Sequence, residues 1–140
     1  MNLRTLRLIL ATLSVSLLAG QLSSPISAGA LAKDVTVSSN DQTSTIDCSG
    51  SSVDVRGQDN KLTLKGDCKK LKVSGDDNNI NAINLNEVEI SGDDNVITLG
   101  TVGKITTTGN DNKITWKNGS GGKDPKISPK GNDNNIRRLN

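Results

Sequence analysis

Aspartates recur at nearly constant spacing along this chain, and they are the residues best suited to bind a cation. Each is the third residue of the tetrapeptide Gly-x-Asp-Asn. The five are Asp59, Asp77, Asp94, Asp111 and Asp133. Neighbouring carboxylates repel one another unless N–H groups cap them or a cation bridges them, and calcium takes oxygen ligands of this kind. If the fold aligns the tetrapeptides, the candidate calcium ligands are Asp59, Asp77, Asp94 and Asp111.

The glycine and the asparagine of the same tetrapeptide support a purely structural interpretation. In stacked turns each asparagine carboxamide can donate a hydrogen bond to the next, and both residue types tolerate the left-handed backbone of a sharp corner. This turn ladder would consist of Gly57, Asn60, Gly75, Asn78, Gly92, Asn95, Gly109, Asn112, Gly131 and Asn134. It accounts for the residue types without a metal, so we expect no bound cofactor, with calcium as the alternative.

The flanks of every tetrapeptide show the elements that must position it. In most repeats apolar residues stand four and two positions before the glycine and five and seven positions after it, with polar residues between them. Around Gly75 these are Leu71, Val73, Ile80 and Ala82. Such period-2 alternation predicts a strand with one buried face on each side of every turn. A further apolar column in the intervening return segment consists of Cys68, Leu85 and Val102.

The repeat period predicts the architecture. Successive glycines are 18, 17, 17 and 22 residues apart, and a degenerate copy at residues 39–42 precedes Gly57 in the same register. An antiparallel meander would also alternate, but like residues at like offsets favour the stacking of identical coils. We therefore predict an all-β fold, a parallel β-solenoid of about six coils with a 17–18-residue repeat, roughly 29 Å long at about 4.8 Å per coil.

The N-terminal segment is predicted to lie outside this fold. Arg4 and Arg7 precede an apolar stretch that is too short to cross a bilayer, and small residues suited to cleavage follow. We predict a secretory signal peptide over residues 1–32 and an exported, periplasmic or extracellular repeat domain over residues 33–140. Of 17 basic and 15 acidic residues only the two arginines lie in the leader, so the remaining chain has no net charge and no basic patch for nucleic acid.

Cys48 and Cys68 are the only cysteines. They fall in the return segments of adjacent coils, and an even count in an exported chain indicates a disulfide. A redox or metal-binding pair is the alternative, although zinc would need further histidine or cysteine ligands and the chain has no histidine.

The C-terminal part departs from the repeat. Residues 117–126 are rich in glycine and lysine and are predicted to form a loop, and the last coil over residues 127–138 has Pro129 and Arg138 where apolar residues are expected. Trp116, the only aromatic residue, is interpreted as filling the core beneath this loop.

Gly-x-x-Asn turns between valine- and isoleucine-rich strands, two early cysteines and the late Thr115-Trp116 resemble a family of exported bacterial proteins, domain of unknown function 3060. The resemblance covers roughly residues 35–116. It implies an exported β-repeat protein and provides no activity, ligand or catalytic residue.

No catalytic residue is predicted. Enzymes on parallel β-helices often use paired carboxylates within a loop-built cleft, whereas Asp76 and Asp93 here are neighbours in the repeat. Outward threonines on several coils are accounted for by β-propensity. We expect a non-catalytic structural or binding module of the periplasm or cell envelope, monomeric or weakly associating, with no membrane span and an unknown partner. The alternative is a calcium- or glycan-binding protein that uses the Asp/Asn turn column.

Overall fold

The computed structural model of the protein describes residues 33–140; the predicted signal peptide lies outside the described residues. Within that range the chain forms nine strands and one short 3₁₀ helix. The strands are β1 Val35–Val37, β2 Thr43–Asp47, β3 Ser52–Val55, β4 Lys61–Ser74, β5 Asn79–Ser91, β6 Val96–Thr108, β7 Lys113–Gly119, β8 Lys126–Lys130 and β9 Asn135–Arg138, and the 3₁₀ helix is Ser120–Gly122. No helix among the described residues is long and apolar enough to cross a membrane.

Every strand pairing is parallel. The strands follow one another in the order β1-β3-β4-β5-β6-β7-β9, while β2 pairs with β4 and β8 pairs with β6. Each residue lies beside the residue one repeat later, as Val53 beside Leu71 and Leu71 beside Val88. The prediction of a parallel β-solenoid is confirmed, and the meander is excluded.

The longest strands turn two corners of the coil without interruption. Strands β4, β5 and β6 each contain 13 or 14 residues and continue from one Gly-x-Asp-Asn turn to the next. The return segment is therefore part of a continuous bent strand, and the tetrapeptide is the one sharp corner of each coil. We call the residues just before the tetrapeptide the pre-turn side of the coil and those just after it the post-turn side. The segment between the post-turn side and the next pre-turn side is the return side.

The core is a narrow column of aliphatic side chains. The residues two and four positions before the glycines and five and seven after them are buried in the middle coils, together with the return-side residues Cys68, Leu85 and Val102. Trp116 is also buried and is 5% exposed, with the guanidinium of Arg138 5.3 Å from its ring centroid. The tryptophan therefore closes the C-terminal end of the core, and the arginine covers it through a cation–π contact.

Changes in repeat length are absorbed on the return side. The register shifts by one residue between Leu64 and Asp67, where Gly66 has a φ of 85°, and this bulge converts an 18-residue spacing to 17. Five additional residues lie between Gly119 and Lys126, since Gly119 is 17 residues from its partner Val102 and Lys126 is 22 residues from Lys104. The last coil is formed despite its poor apolar pattern, and much of the predicted loop is strand or 3₁₀ helix.

Cys48 and Cys68 form a disulfide between the first two return segments. Their Cα atoms are 5.1 Å apart, and both side chains are buried. The two residues lie in adjacent coils and are offset by two positions from the 18-residue register, and the bridge links the first coil to the second. In the entropic description, a cross-link over about 20 residues stabilises the fold by about 3 kcal/mol.

Thr107 occupies a core position that is Val or Ile in the other central coils. Its side chain is fully buried, and its hydroxyl oxygen has no hydrogen-bond partner among the described residues. We expect Thr107→Val to raise the free energy of unfolding by about 1 kcal/mol, because it removes an unsatisfied hydroxyl without changing the shape of the side chain. Urea unfolding would measure the change. The control is Thr106→Val, an outward neighbour that should have little effect, and a loss of stability in Thr107→Val would contradict the prediction.

Candidate functional site

The aspartate, rather than the asparagine, supplies the left-handed residue of every turn. Asp41, Asp59, Asp77, Asp94, Asp111 and Asp133 all have φ between 54° and 56°. No asparagine has a positive φ among the described residues. The sequence-based assignment of this role to asparagine is therefore wrong, and aspartate is used because it tolerates this backbone region better than most residues.

Glycine is required at the start of the second and later turns mainly because the preceding coil approaches closely there. A Cβ atom on Gly75 would lie 2.2 Å from the carbonyl oxygen of Gly57, and one on Gly57 would lie 2.0 Å from that of Ser39. The later glycines Gly109 and Gly131 also have positive φ values of 140° and 105°, whereas Gly57 and Gly75 do not. The expectation that positive φ explains all the glycines is therefore corrected.

The asparagines form a continuous buried ladder along the stack. The Nδ2 of Asn60 donates to the Oδ1 of Asn78 at 3.0 Å, and the same bond joins Asn78 to Asn95, Asn95 to Asn112 and Asn112 to Asn134 at 3.0 to 3.1 Å. Each Oδ1 also accepts a bond from the backbone N–H of the preceding asparagine, as in Asn78 to Asn95 at 3.1 Å. The carboxamide oxygens of four ladder residues therefore have two donors each from one neighbouring coil, and these residues are Asn78, Asn95, Asn112 and Asn134.

The second amide hydrogen is also used. The Nδ2 of Asn95 donates to the carbonyl oxygen of Gly75 at 3.0 Å, and the Nδ2 of Asn112 donates to that of Gly92 at 2.8 Å. Asn78, Asn95 and Asn112 are completely buried. Because a buried polar group costs free energy unless it is hydrogen-bonded, these contacts are needed for the turn to be stable.

A second ladder runs beside the first one at the variable position of the tetrapeptide. The backbone N–H of Asp93 donates to Asp76 Oδ1 at 2.9 Å, that of Asn110 to Asp93 Oδ1 at 2.7 Å, and that of Asn132 to Asn110 Oδ1 at 3.0 Å. The N–H of Gln58 makes the same bond to Asn40 at 2.9 Å. The sequence interpretation missed this ladder, although a signal was present because every residue at this position carries a carboxylate or a carboxamide.

The candidate calcium ligands Asp59, Asp77, Asp94 and Asp111 are exposed at the outer edge of the turns. Within residues 33–140 no group of three or more His, Cys, Asp or Glu side chains is arranged to hold a metal ion. The carboxylates of Asp76 and Asp93, at the neighbouring variable position of the tetrapeptide, accept backbone N–H bonds, which stabilise their charges without a cation.

The pre-turn side carries ion pairs between successive coils. Lys70 Nζ lies 2.6 Å from Glu89 Oε2, and Lys104 Nζ lies 2.7 Å from Glu87 Oε1. The hydrogen bonds from the lysines lower the pKa of both glutamates, and the bond with Glu89 raises the pKa of Lys70. The stabilisation is lost as the pH falls through the lowered glutamate values, or rises through the raised lysine value. Because these side chains are partly exposed, the contribution is small.

The return side presents an open polar groove of about 510 Å³. Its lining includes Asp67, Asn84, Asn86, Thr101, Ser120 and Gly121. The Nδ2 of Asn84 donates to Asp67 Oδ1 at 2.7 Å, so these two side chains also pair with each other along the stack. This surface can offer hydrogen-bond donors and acceptors to a partner.

The ladder predicts a specific sensitivity at Asn95. Asn95→Asp retains the acceptor but replaces the NH₂ group with an oxygen that faces the oxygens of Asn112 and Gly75. We expect a loss of about 3 kcal/mol or more near neutral pH. Burial should raise the pKa of the new carboxyl, so the loss should grow as the pH rises above about 4, where the unfolded chain ionises.

Urea unfolding at several pH values would measure this effect. The matched control is Asn79→Asp, which makes the same chemical change at an exposed outward position and should alter stability by less than about 0.5 kcal/mol. Equal losses in the two variants, or a loss in Asn95→Asp that does not depend on pH, would contradict the ladder as described.

Comparison with known proteins agrees with the sequence resemblance. The profile of a family described as protein of unknown function (DUF3060) matches residues 55–100 and 81–133. These overlapping matches run from the second coil to the last turn and cover more than half of the chain. No curated protein and no solved structure matches it. The chain therefore belongs to the DUF3060 family of proteins of unknown function.

Proposed function

We propose that this protein is exported and acts as a non-catalytic structural or binding module of the periplasm or cell envelope. The observation that carries the proposal is the use of the repeated polar residues. Asn78, Asn95 and Asn112 are fully buried, and their side chains are hydrogen-bonded to adjacent coils. The recurring tetrapeptide thus builds a rigid stack, and the sides of that stack are left for contact with a partner.

The disulfide supports export. Cys48 and Cys68 are bonded to each other, and disulfides form and persist in oxidising compartments. The leader-like residues 1–32 supply an independent reason from the sequence. A rigid, cross-linked β-stack suits an environment where no reducing system and little repair is available.

We also propose that the module works without a metal. The carboxylates of Asp76 and Asp93 are bonded to backbone N–H groups of the next coil. The exposed aspartates of the turn have positive φ values, and the tolerance of aspartate for this left-handed conformation explains its presence there. A calcium- or glycan-binding role of the turn column is the competing function, and the calcium part of it is tested below.

Export predicts a defined processed form. When the full chain is produced in a bacterial host, we expect the protein to accumulate outside the cytoplasm with a new N-terminus close to residue 33 and with no free thiol. Mass spectrometry of the fractionated protein, with and without a thiol-alkylating reagent, would measure both properties. An intact N-terminus in a cytoplasmic, reduced protein would overturn the export proposal.

Metal independence predicts identical thermal melts in excess calcium and in excess chelator. A ligand that binds only the folded state at about 100 times its Kd would add about 2.7 kcal/mol and raise the melting temperature. The control is the double variant Asp77→Asn, Asp94→Asn, in which carboxamides replace two turn carboxylates. A calcium-dependent rise that disappears in this variant would favour the calcium-binding alternative.

A further inference from the structure

The stack of coils has two open ends. Strands β1 and β2 pair only with β3 and β4, and strands β8 and β9 pair only with β6 and β7, within the described part of the chain. We call residues 33–47 the N-terminal end and residues 123–140 the C-terminal end. Parallel strands that lack a neighbour on one side can accept a further strand, so each end is a potential association surface.

The two ends are complementary in hydrogen bonding. In the inner ladder each asparagine N–H donates to the next coil, and among the described residues no coil follows Asn134 to accept its N–H. Gln42 occupies the corresponding position of the first coil and carries a carboxamide oxygen. In the outer ladder the Oδ1 of Asn132 is the unused acceptor, and the N–H of Asn40 is the corresponding donor of the first coil.

The two ends are also complementary in charge. The side chains of the N-terminal end carry one cation and three anions, which are Lys33, Asp34, Asp41 and Asp47, and removal of residues 1–32 adds the α-amino cation of the new N-terminus, which leaves an excess of one anion. The C-terminal end carries five cations and two anions, which are Lys123, Lys126, Lys130, Arg137, Arg138, Asp124 and Asp133. All of these residues are exposed. Unlike ends therefore attract each other, whereas two N-terminal or two C-terminal ends repel.

The repeat register continues across such a junction. Suppose that a second copy follows with the spacing of the other coils. Asp34 of that copy then lies next to Lys126, and Val35 of that copy lies next to Ile127. Ile127 is 38% exposed, one of three large apolar side chains exposed among the described residues. The junction would pair Asp34 with Lys126 on the outer face, continue the turn aspartate column by placing Asp41 beside Asp133, and cover Ile127 on the inner face.

Pro129 limits how strong this association can be. Lys130 accepts a bond from the backbone N–H of Gly109, so residue 130 faces the preceding coil and residue 129 faces the open end. Proline removes the N–H that would bond there. The junction therefore lacks one backbone hydrogen bond, and Arg138 additionally occupies a position where other coils place an apolar side chain.

From these features we infer that the C-terminal end of one copy binds the N-terminal end of a second copy, weakly and electrostatically. This head-to-tail contact does not close on itself, so it leads to short linear chains of molecules. The inference rests on the proposed export, because the N-terminal end is available once residues 1–32 have been removed. It identifies the partner of the module as the same protein.

The test uses the exported, processed chain, whose N-terminus is first read by mass spectrometry. Sedimentation velocity over a concentration series should show at least a twofold rise in weight-average mass at about 10 mM salt, where the Debye length is about 30 Å. The mass should return to that of the monomer at about 1 M salt, where the Debye length is about 3 Å. An unprocessed leader would contradict the export proposal, whereas a processed chain that stays monomeric at low salt would contradict this inference.

Charge-reversed variants make the test specific to the two ends. The first variant, Lys126→Glu, Lys130→Glu and Arg137→Glu, has two acidic ends. The second, Thr36→Lys, Ser38→Lys and Thr45→Lys, has two basic ends and leaves the Gln42 carboxamide in place. All six positions are exposed, and none of their side chains takes part in an ion pair or side-chain hydrogen bond in the described structure. Each variant alone should be monomeric, and an equimolar mixture should recover the association.

A third variant controls for net charge. Lys61→Glu, Lys65→Glu and Lys113→Glu make the same change in net charge as the first variant on exposed lateral positions. This control should associate as the unmodified protein does, and thermal melts should show that all three variants are folded. Association that persists in the first variant alone, or that is lost equally in the lateral control, would overturn the inference. Failure of the equimolar mixture to associate would also overturn the inference.

Discussion

The buried asparagine ladder is the interaction on which the rest of this structure depends. A sharp corner brings backbone groups of several residues together in the interior, where water cannot solvate them. The carboxamide is suited to this position because one side chain offers two donors and an acceptor, and the repeat supplies an identical partner above and below. Asn78 shows the full pattern, since it bonds to Asn95 and to the carbonyl oxygen of Gly57. The ladder thus determines which residues can occupy the turn and fixes the register of the strands that leave it.

Glycine and aspartate follow from the same constraint in different ways. The glycine permits the preceding coil's carbonyl oxygen to approach to a distance that any Cβ atom would block. The aspartate takes the left-handed conformation that turns the chain back. The five complete copies of the tetrapeptide differ only at the second position, where Gln58, Asp76 and Asn110 all supply side-chain oxygens or amides to the outer ladder.

The fold could be predicted from the sequence because each apolar residue recurs at a fixed offset from the turn. The columns that include Leu71, Val88 and Ile105 are buried as their period requires. The assignment of roles within the turn was less successful. Glycine, asparagine and aspartate all favour tight turns, so composition alone could not show that Asp94 carries the positive φ while Asn95 bonds to the adjacent coils. The outer ladder was missed because its residue type varies, and the chemistry of its oxygens, rather than identity, is what repeats.

The position of the irregular residues has a consequence for how such a protein can change in length. The departures from the 17-residue spacing lie on the return side. They are the bulge at Gly66 and the five additional residues before Lys126. The turn side has no comparable freedom, because a residue added there would interrupt two hydrogen-bonded ladders at once. Segments of new sequence could therefore be inserted, in the course of evolution or by design, at one side of each coil while the spacing of the stack is kept. The return side is the part of this architecture at which a rigid repeat can acquire variable loops.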